Sequence, residues 1–297
     1  MLCGDRHAAE AALRRYGYYR LSGYWFPFRQ VDLAAGGVIE TFRPGTTLQS
    51  AVDLAVFDKA LRILILDALE QIEVALRVDI ALIVGRHNPL AHRLVAALHP
   101  TFANKIDQAS GQTAHHTWLT RHDEMAARSR EDFVQSFAAS CSTPLPIWIA
   151  IELWDFGLLS RFVGLMTVSD RQQLAARYAI PDWRLLESWV RALGHIRNIA
   201  AHHARLWNRA LSNVGTPKMA AAGAIPDLDH LRTDPFAQKR LYAVAVVIQH
   251  LLRSINPQAP WAQRLATHLA TLPSAPGVTV DATGFPPGWS ALPLWQP

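Results

Sequence analysis

Between Leu48 and Val84 apolar residues return at Leu54, Leu61, Ile65, Leu69, Ile72, Leu76, Ile80 and Ile83, with neither Pro nor Gly among them. Steps of three, four and seven keep such positions on one face of a 3.6-residue helix, so this pattern predicts a single very long helix. Thr46 or Thr47 is placed to cap it, and Gly85 with Pro89 is placed to end it. Upstream, Asp5 to Tyr19 starts with helix formers and turns aromatic, and Gly36-Gly37 and Pro44-Gly45 punctuate a loop. Downstream, Ser129-Arg130-Glu131-Asp132-Phe133 reads as a capped helix start, broken by Pro144 and Pro146. Ile147 to Phe156 opens an apolar segment ending at Gly157, and Pro181-Asp182 opens a helix expected to run to about Leu211. Ser212 to Thr233, rich in Gly, Pro and Ala, reads as a surface connection; Pro235 to Ser254 and Ala262 to Thr271 read as the last helices.

No strand pairs convincingly and no internal repeat is evident, so the expected class is all-α, a helical bundle with long central helices. The predicted organisation is a domain over 1–272 and an extended Pro/Gly-rich tail over 273–297, whose Phe285, Trp289 and Trp295 are expected to dock on it.

Composition narrows the picture. Of 297 residues 50% are hydrophobic and 18% charged, which suits a large buried core and excludes a disordered chain. The longest apolar stretch, Leu241 to Leu252, is too short for a membrane span and carries Gln249 and His250. Met1 to Asp5 lacks the features of a signal peptide, so a cytoplasmic protein is expected. Cys3 and Cys141 offer neither a disulfide framework nor a thiolate metal site. The net charge of +5 is compatible with a polyanionic partner without demanding one.

Chemistry concentrates between Trp183 and Arg209. Arg191, His195, Asn198, His202, Arg205 and Arg209 would form one wholly polar helical row, at alternating steps of four and three. Leu185, Trp189, Leu193, Ile196, Ala200, His203 and Trp207 would form a second row, apolar except for His203. The rows separate the adjacent histidines: His202 lies one turn after Asn198, whose amide can orient an imidazole, while His203 is expected in the core or an interface. Arg197 stands at the border of the polar face. RNA cleavage by the substrate's own 2′-hydroxyl needs an imidazole to move protons and a guanidinium to hold phosphate and its added charge. The same residues would equally serve to cap the helix and form salt bridges.

Arg197-Asn198-Ile199-Ala200-Ala201-His202 is similar to the motif of HEPN ribonucleases, in which a polar residue often follows the Arg and a His comes a few residues on. Arg86 and His92 fit the spacing too, but Pro89 interrupts them. A wider series of blocks resembles the bacterial abortive-infection, AbiD/AbiF-like, phage-resistance family. They are Tyr18 to Tyr24, Phe57-Asp58 with Leu61-Arg62, Ala68 to Glu73 with Arg77, Pro144 to Trp148 with Glu152 and Phe156-Gly157, Arg197 to Arg209, and Gly284-Phe285-Pro286 with Trp289. The resemblance implies a HEPN-type fold and a toxin-like endoribonuclease that works as a homodimer. It also implies RNA as substrate and, for AbiF-like members, a small structured RNA as antitoxin partner. It casts Arg197, Asn198 and His202 as catalytic, with Arg191, His195, Arg205, Arg209 and Arg20 binding RNA; no cofactor, metal, DNA or membrane partner is expected. The alternative is a non-catalytic RNA-binding protein that assembles with a structured RNA.

Three other groups bear on this. Arg14 to Arg29 interleaves basic and aromatic residues, read as aromatic core overlaid by arginine stems, with base stacking as the other reading. Glu70, Glu73 and Arg77 share a face of the long helix, either as an ion network or as carboxylates orienting the active Arg; Glu152 invites the same two readings. His115-His116 and His122 lack a carboxylate or Cys spaced to complete a metal site.

Overall fold

The computed structural model describes residues 1–32, 37–108 and 110–296; the loop residue Gly36 lies outside them. The fold is all-α, with one small hairpin among the described residues. In order come α1 (Arg6–Tyr16), α2 (Tyr18–Trp25), β1 (Arg29–Asp32), β2 (Gly37–Phe42), α3 (Leu48–Gly85), α4 (Pro100–Ala103), α5 (Ala114–Arg128) and α6 (Asp132–Ser140). These are followed by α7 (Ile147–Ala150), α8 (Phe156–Leu165), α9 (Val168–Arg177), α10 (Trp183–Ala201), α11 (Asp229–Arg232), α12 (Pro235–Gln238), α13 (Leu241–Ile255) and α14 (Trp261–Leu269).

The long periodic segment forms α3, and Thr47 is its cap, its hydroxyl accepting the N–H of Ser50. A helix this long persists because α2, α7, α9, α10, α13 and α14 all pack on it. Leu61, Ile65, Ile72, Leu76 and Ile80 are fully buried, and Trp261 reaches across to donate to the Leu64 carbonyl at 2.9 Å. Among the described residues no helix is long and apolar enough to cross a membrane.

Four expectations are corrected. Strands do pair: β1 and β2 run antiparallel, with Val31 opposite Val38. Both valines are largely exposed, so the hairpin leaves no alternating buried pattern in the sequence. Helix α8 starts at Phe156 and runs through Gly157, where the apolar segment was expected to stop; the Asp155 carboxylate caps it by accepting the Leu158 N–H at 2.6 Å. The segment Pro235 to Ser254 is two helices, α12 and α13, because the chain turns at Lys239-Arg240. Helix α10 stops at Ala201 rather than near Leu211, for reasons given below.

The Ser212–Thr233 connection is partly built into the core. Trp189 donates to the Lys218 carbonyl at 2.8 Å, and Ile225, Leu228 and Leu231 are buried. At the end of the chain Phe285 and Trp295 are buried against Tyr242, with ring centroids 4.8 and 6.0 Å away. Gly284 allows this approach: it has φ +86°, and a Cβ there would fall 2.4 Å from the Cβ of Arg240.

Candidate functional site

Helix α10 begins at Asp182, whose carboxylate accepts the Arg184 N–H at 2.9 Å, and ends in a Schellman-type turn built without glycine. The His203 N–H donates to the Ala200 carbonyl at 3.1 Å and the Ala204 N–H to the Ile199 carbonyl at 3.0 Å. His203 takes the left-handed conformation, with φ +59°, that this turn requires. His202 is therefore the cap residue. Its N–H donates to the Asn198 carbonyl at 2.9 Å, and its side chain is exposed. The hydrogen bond between Asn198 and His202 runs backbone to backbone.

The helix ends here because the next residues are held elsewhere. Asp58, fully buried on α3, accepts the N–H groups of Leu206 at 3.1 Å and Trp207 at 2.7 Å. It also accepts the Tyr24 hydroxyl at 2.7 Å and pairs with Arg62 one turn along at 2.5 Å. Burial is the largest influence on the Asp58 carboxyl and pushes it upward, while Tyr24, Arg62 and the two amides pull it back. Burial and the same carboxylate push the Tyr24 phenol well above its usual range, so it stays a donor. Leu206 and Trp207 are fully buried beside this cluster, which fixes the stem of the His202 turn to the central helix.

A second ionic group stands further along α3. Glu73 pairs with Arg77 at 2.5 Å, and Arg77 also donates to the Trp154 carbonyl at 2.8 Å, with Glu152 at 3.9 Å. Burial raises the Glu73 carboxyl, countered by Arg77 and then by Arg197, so Arg197 lies within the field of this carboxylate. Both readings of Glu73 thus have support: it belongs to an ion network, and it acts on Arg197. Among the described residues Arg197 makes no hydrogen bond or ion pair, leaving its half-buried fork available to a ligand.

The other polar-row residues separate. Arg191 pairs with Glu187 at 2.8 Å, about 16 Å along the helix from His202, and lines a different cleft with Phe102, Trp118 and Arg161. His195 meets the Ser212 hydroxyl at 3.2 Å; burial lowers its imidazole first and nearby Arg209 second. Arg205 donates to the Gly23 carbonyl and Arg209 to the Arg205 carbonyl at 3.3 Å, so both belong to the loop and not to a helical row. Arg20 is exposed and donates to the His203 carbonyl at 3.1 Å, which places α2 beside the His202 turn. Of the two places expected for His203, the core is excluded: the left-handed turn carries the side chain off the apolar row and leaves it exposed.

His115 and His122 point into the core: His115 donates to the His92 carbonyl at 3.0 Å, and His122 accepts from Trp154 at 3.2 Å. Among the described residues no group of three or more His, Cys, Asp or Glu side chains could hold a metal ion. The residue that sequence reasoning undervalued is Asp58. Its signal was present: a carboxylate on an otherwise apolar face, four residues before an Arg.

No curated protein and no solved structure gives a significant match. A family model described as Abi-like protein matches residues 11–208, a span that holds the Tyr24, Asp58, Arg62 and Glu73 anchors and the whole turn from Arg197 to Trp207. The chain belongs to the Abi-like protein family.

Proposed function

We propose that this protein is a metal-independent endoribonuclease of the HEPN type, acting in abortive-infection phage defence, with a working site completed by a second copy of the chain. Membership of the Abi-like family points to phage defence. The observation that carries the enzymatic reading is an exposed His202 on a tightly anchored helix end, five residues after an Arg197 whose side chain, among the described residues, makes no hydrogen bond or ion pair. A merely structural arginine and histidine would be spent on the fold.

In this reading the His202 imidazole takes the proton of the RNA 2′-hydroxyl, whose oxygen attacks the adjacent phosphorus. The P–O5′ bond breaks, and the departing oxygen receives a proton from the His202 of the second copy, since one imidazole serves only one of the two transfers. Arg197 holds the phosphate and stabilises its added negative charge. The C-terminal end of a helix presents carbonyls, which disfavour an anion, so this task falls to the guanidinium rather than to backbone amides. Asn198 positions the turn, and the products carry a 2′,3′-cyclic phosphate and a 5′-hydroxyl.

The test is induction of wild-type and His202→Ala protein in a bacterial host, with total RNA ends mapped in parallel. Toxicity and cyclic-phosphate ends that both vanish in the variant are expected. New 3′-hydroxyl ends, or cleavage abolished by EDTA, would sink the mechanism, and RNA bound equally by both proteins without cleavage would leave a binding role only.

A further inference from the structure

The sequence reads Arg14 to Arg29 as aromatic core covered by arginine stems, and the structure divides it in two. Leu21, Tyr24, Trp25 and Phe28 are buried as expected. Helix α1 buries none of its residues, and at the start of α2 Tyr18 is 60% and Tyr19 89% exposed. Two adjacent tyrosines left in water need a reason, since each offers an apolar ring that the core could have taken. Their setting is rigid: Tyr18 stands edge-on to Tyr19 at 5.4 Å and to Trp25 at 5.3 Å, so the outer rings are propped from the buried end. Arg14, Arg15 and Arg20 are exposed on the same two helices, Arg15 lying over the Tyr16 ring at 5.4 Å, and among the described residues none of the three pairs with a carboxylate.

We propose that this ledge binds unpaired RNA nucleotides, with Tyr18 and Tyr19 stacking on bases while Arg14, Arg15 and Arg20 hold the backbone. The inference rests on the RNA reading above and names the form of RNA that the site takes. Ring faces can be used only by bases that have left a helix, because an A-form duplex hides base faces and displays phosphate and 2′-hydroxyls. Arg14, Arg15 and Arg20 supply the positive charge that a polyanion needs. Arg20 joins the ledge to the site: one of its nitrogens holds the His203 carbonyl, and its remaining donors stay free. A strand stacked on Tyr19 is thereby led to the turn that carries His202.

The experiment uses the full chain with His202→Ala, which stops cleavage, and a fluorescein-labelled RNA of about 15 nucleotides without self-complementarity, alone or annealed to its complement. Anisotropy should show tighter binding of the single strand. Tyr19→Ala should weaken that binding about tenfold, Tyr19→Trp should restore it, and neither should change the melting curve of so exposed a position. Arg14→Gln with Arg15→Gln should lower the slope of log affinity against log salt by about 1 to 1.5. Equal affinity for duplex and single strand, or no change on Tyr19→Ala, would overturn the ledge. Ends mapped with the His202-intact protein keep the two proposals apart. Cyclic-phosphate ends with no tyrosine dependence remove the ledge alone, whereas tyrosine-dependent binding without such ends removes the ribonuclease reading and leaves the ledge standing.

Discussion

The Asp58 carboxylate accepts the backbone N–H of Trp207 at 2.7 Å, joining residues 149 positions apart in sequence. This bond and its companion to Leu206 decide where α10 stops, and so where His202 stands. Asp58→Asn would leave Arg62, only 7% exposed, as a buried cation without a countercharge. The expected cost is about 3–5 kcal/mol in a urea titration, with lost hydrogen-exchange protection at the Leu206 and Trp207 amides. Should that variant not fold, Tyr24→Phe removes only the hydroxyl that donates to Asp58 and accepts from Arg62 at 3.1 Å, at about 1–2 kcal/mol; no loss in that variant would contradict the clamp.

His203 occupies a conformation that costs an L-residue roughly 1–2 kcal/mol, at φ +59°. Glycine relieves that strain but adds freedom to the unfolded chain, so His203→Gly should be neutral or stabilising by up to about 1 kcal/mol. His203→Val, β-branched in the same place, should destabilise by more than about 1 kcal/mol in thermal or urea melts. Equal stability of the two variants would mean the turn rearranges freely.

Among the described residues the Arg197 side chain makes no hydrogen bond or ion pair, so Arg197→Lys should keep the fold while losing the planar fork that grips phosphate. Cleavage of the labelled RNA should fall roughly a hundredfold, with melting unchanged. A drop in stability matching the loss of rate would instead assign the arginine a structural role.

Two buried histidines contribute to the response to acid. Burial first, then His122 and Arg93, lowers His92 to about 3, and burial chiefly lowers His122 to about 4. Among the described residues neither ring nitrogen of His92 has a hydrogen-bond partner. In the unfolded chain each imidazole takes a proton near pH 6.5, which the folded core refuses until far lower pH. The unfolded state thus binds more protons through this window. Stability is complete above about pH 6.5 and is lost as pH falls towards 4, at roughly 1.4 kcal/mol per pH unit for each histidine. His92→Phe, which gives up no hydrogen bond, should make that slope shallower by one histidine's share. Urea titrations at several pH values measure it, and an unchanged slope would show that His92 stays accessible to protons.

The class of the fold and the course of α3 were readable in the chain alone, because a helix records its buried face every three or four residues. That Arg197, Asn198 and His202 share the end of one helix was readable too, since all three lie within one short segment. The end of α10 was not. Neither Gly nor Pro marks it, and local periodicity carries the helix on towards Leu211. It stops because Asp58, distant in sequence, captures the amides that would have continued it. For the same reason pattern alone set Arg205 and Arg209 on one row with His202, whereas the folded loop ties Arg205 to Gly23. Tyr19 and Tyr24 are the same residue type on one helix, one exposed and one buried against Asp58. Composition treats them alike; only packing against α3 decides which ring is core and which is left to meet a partner.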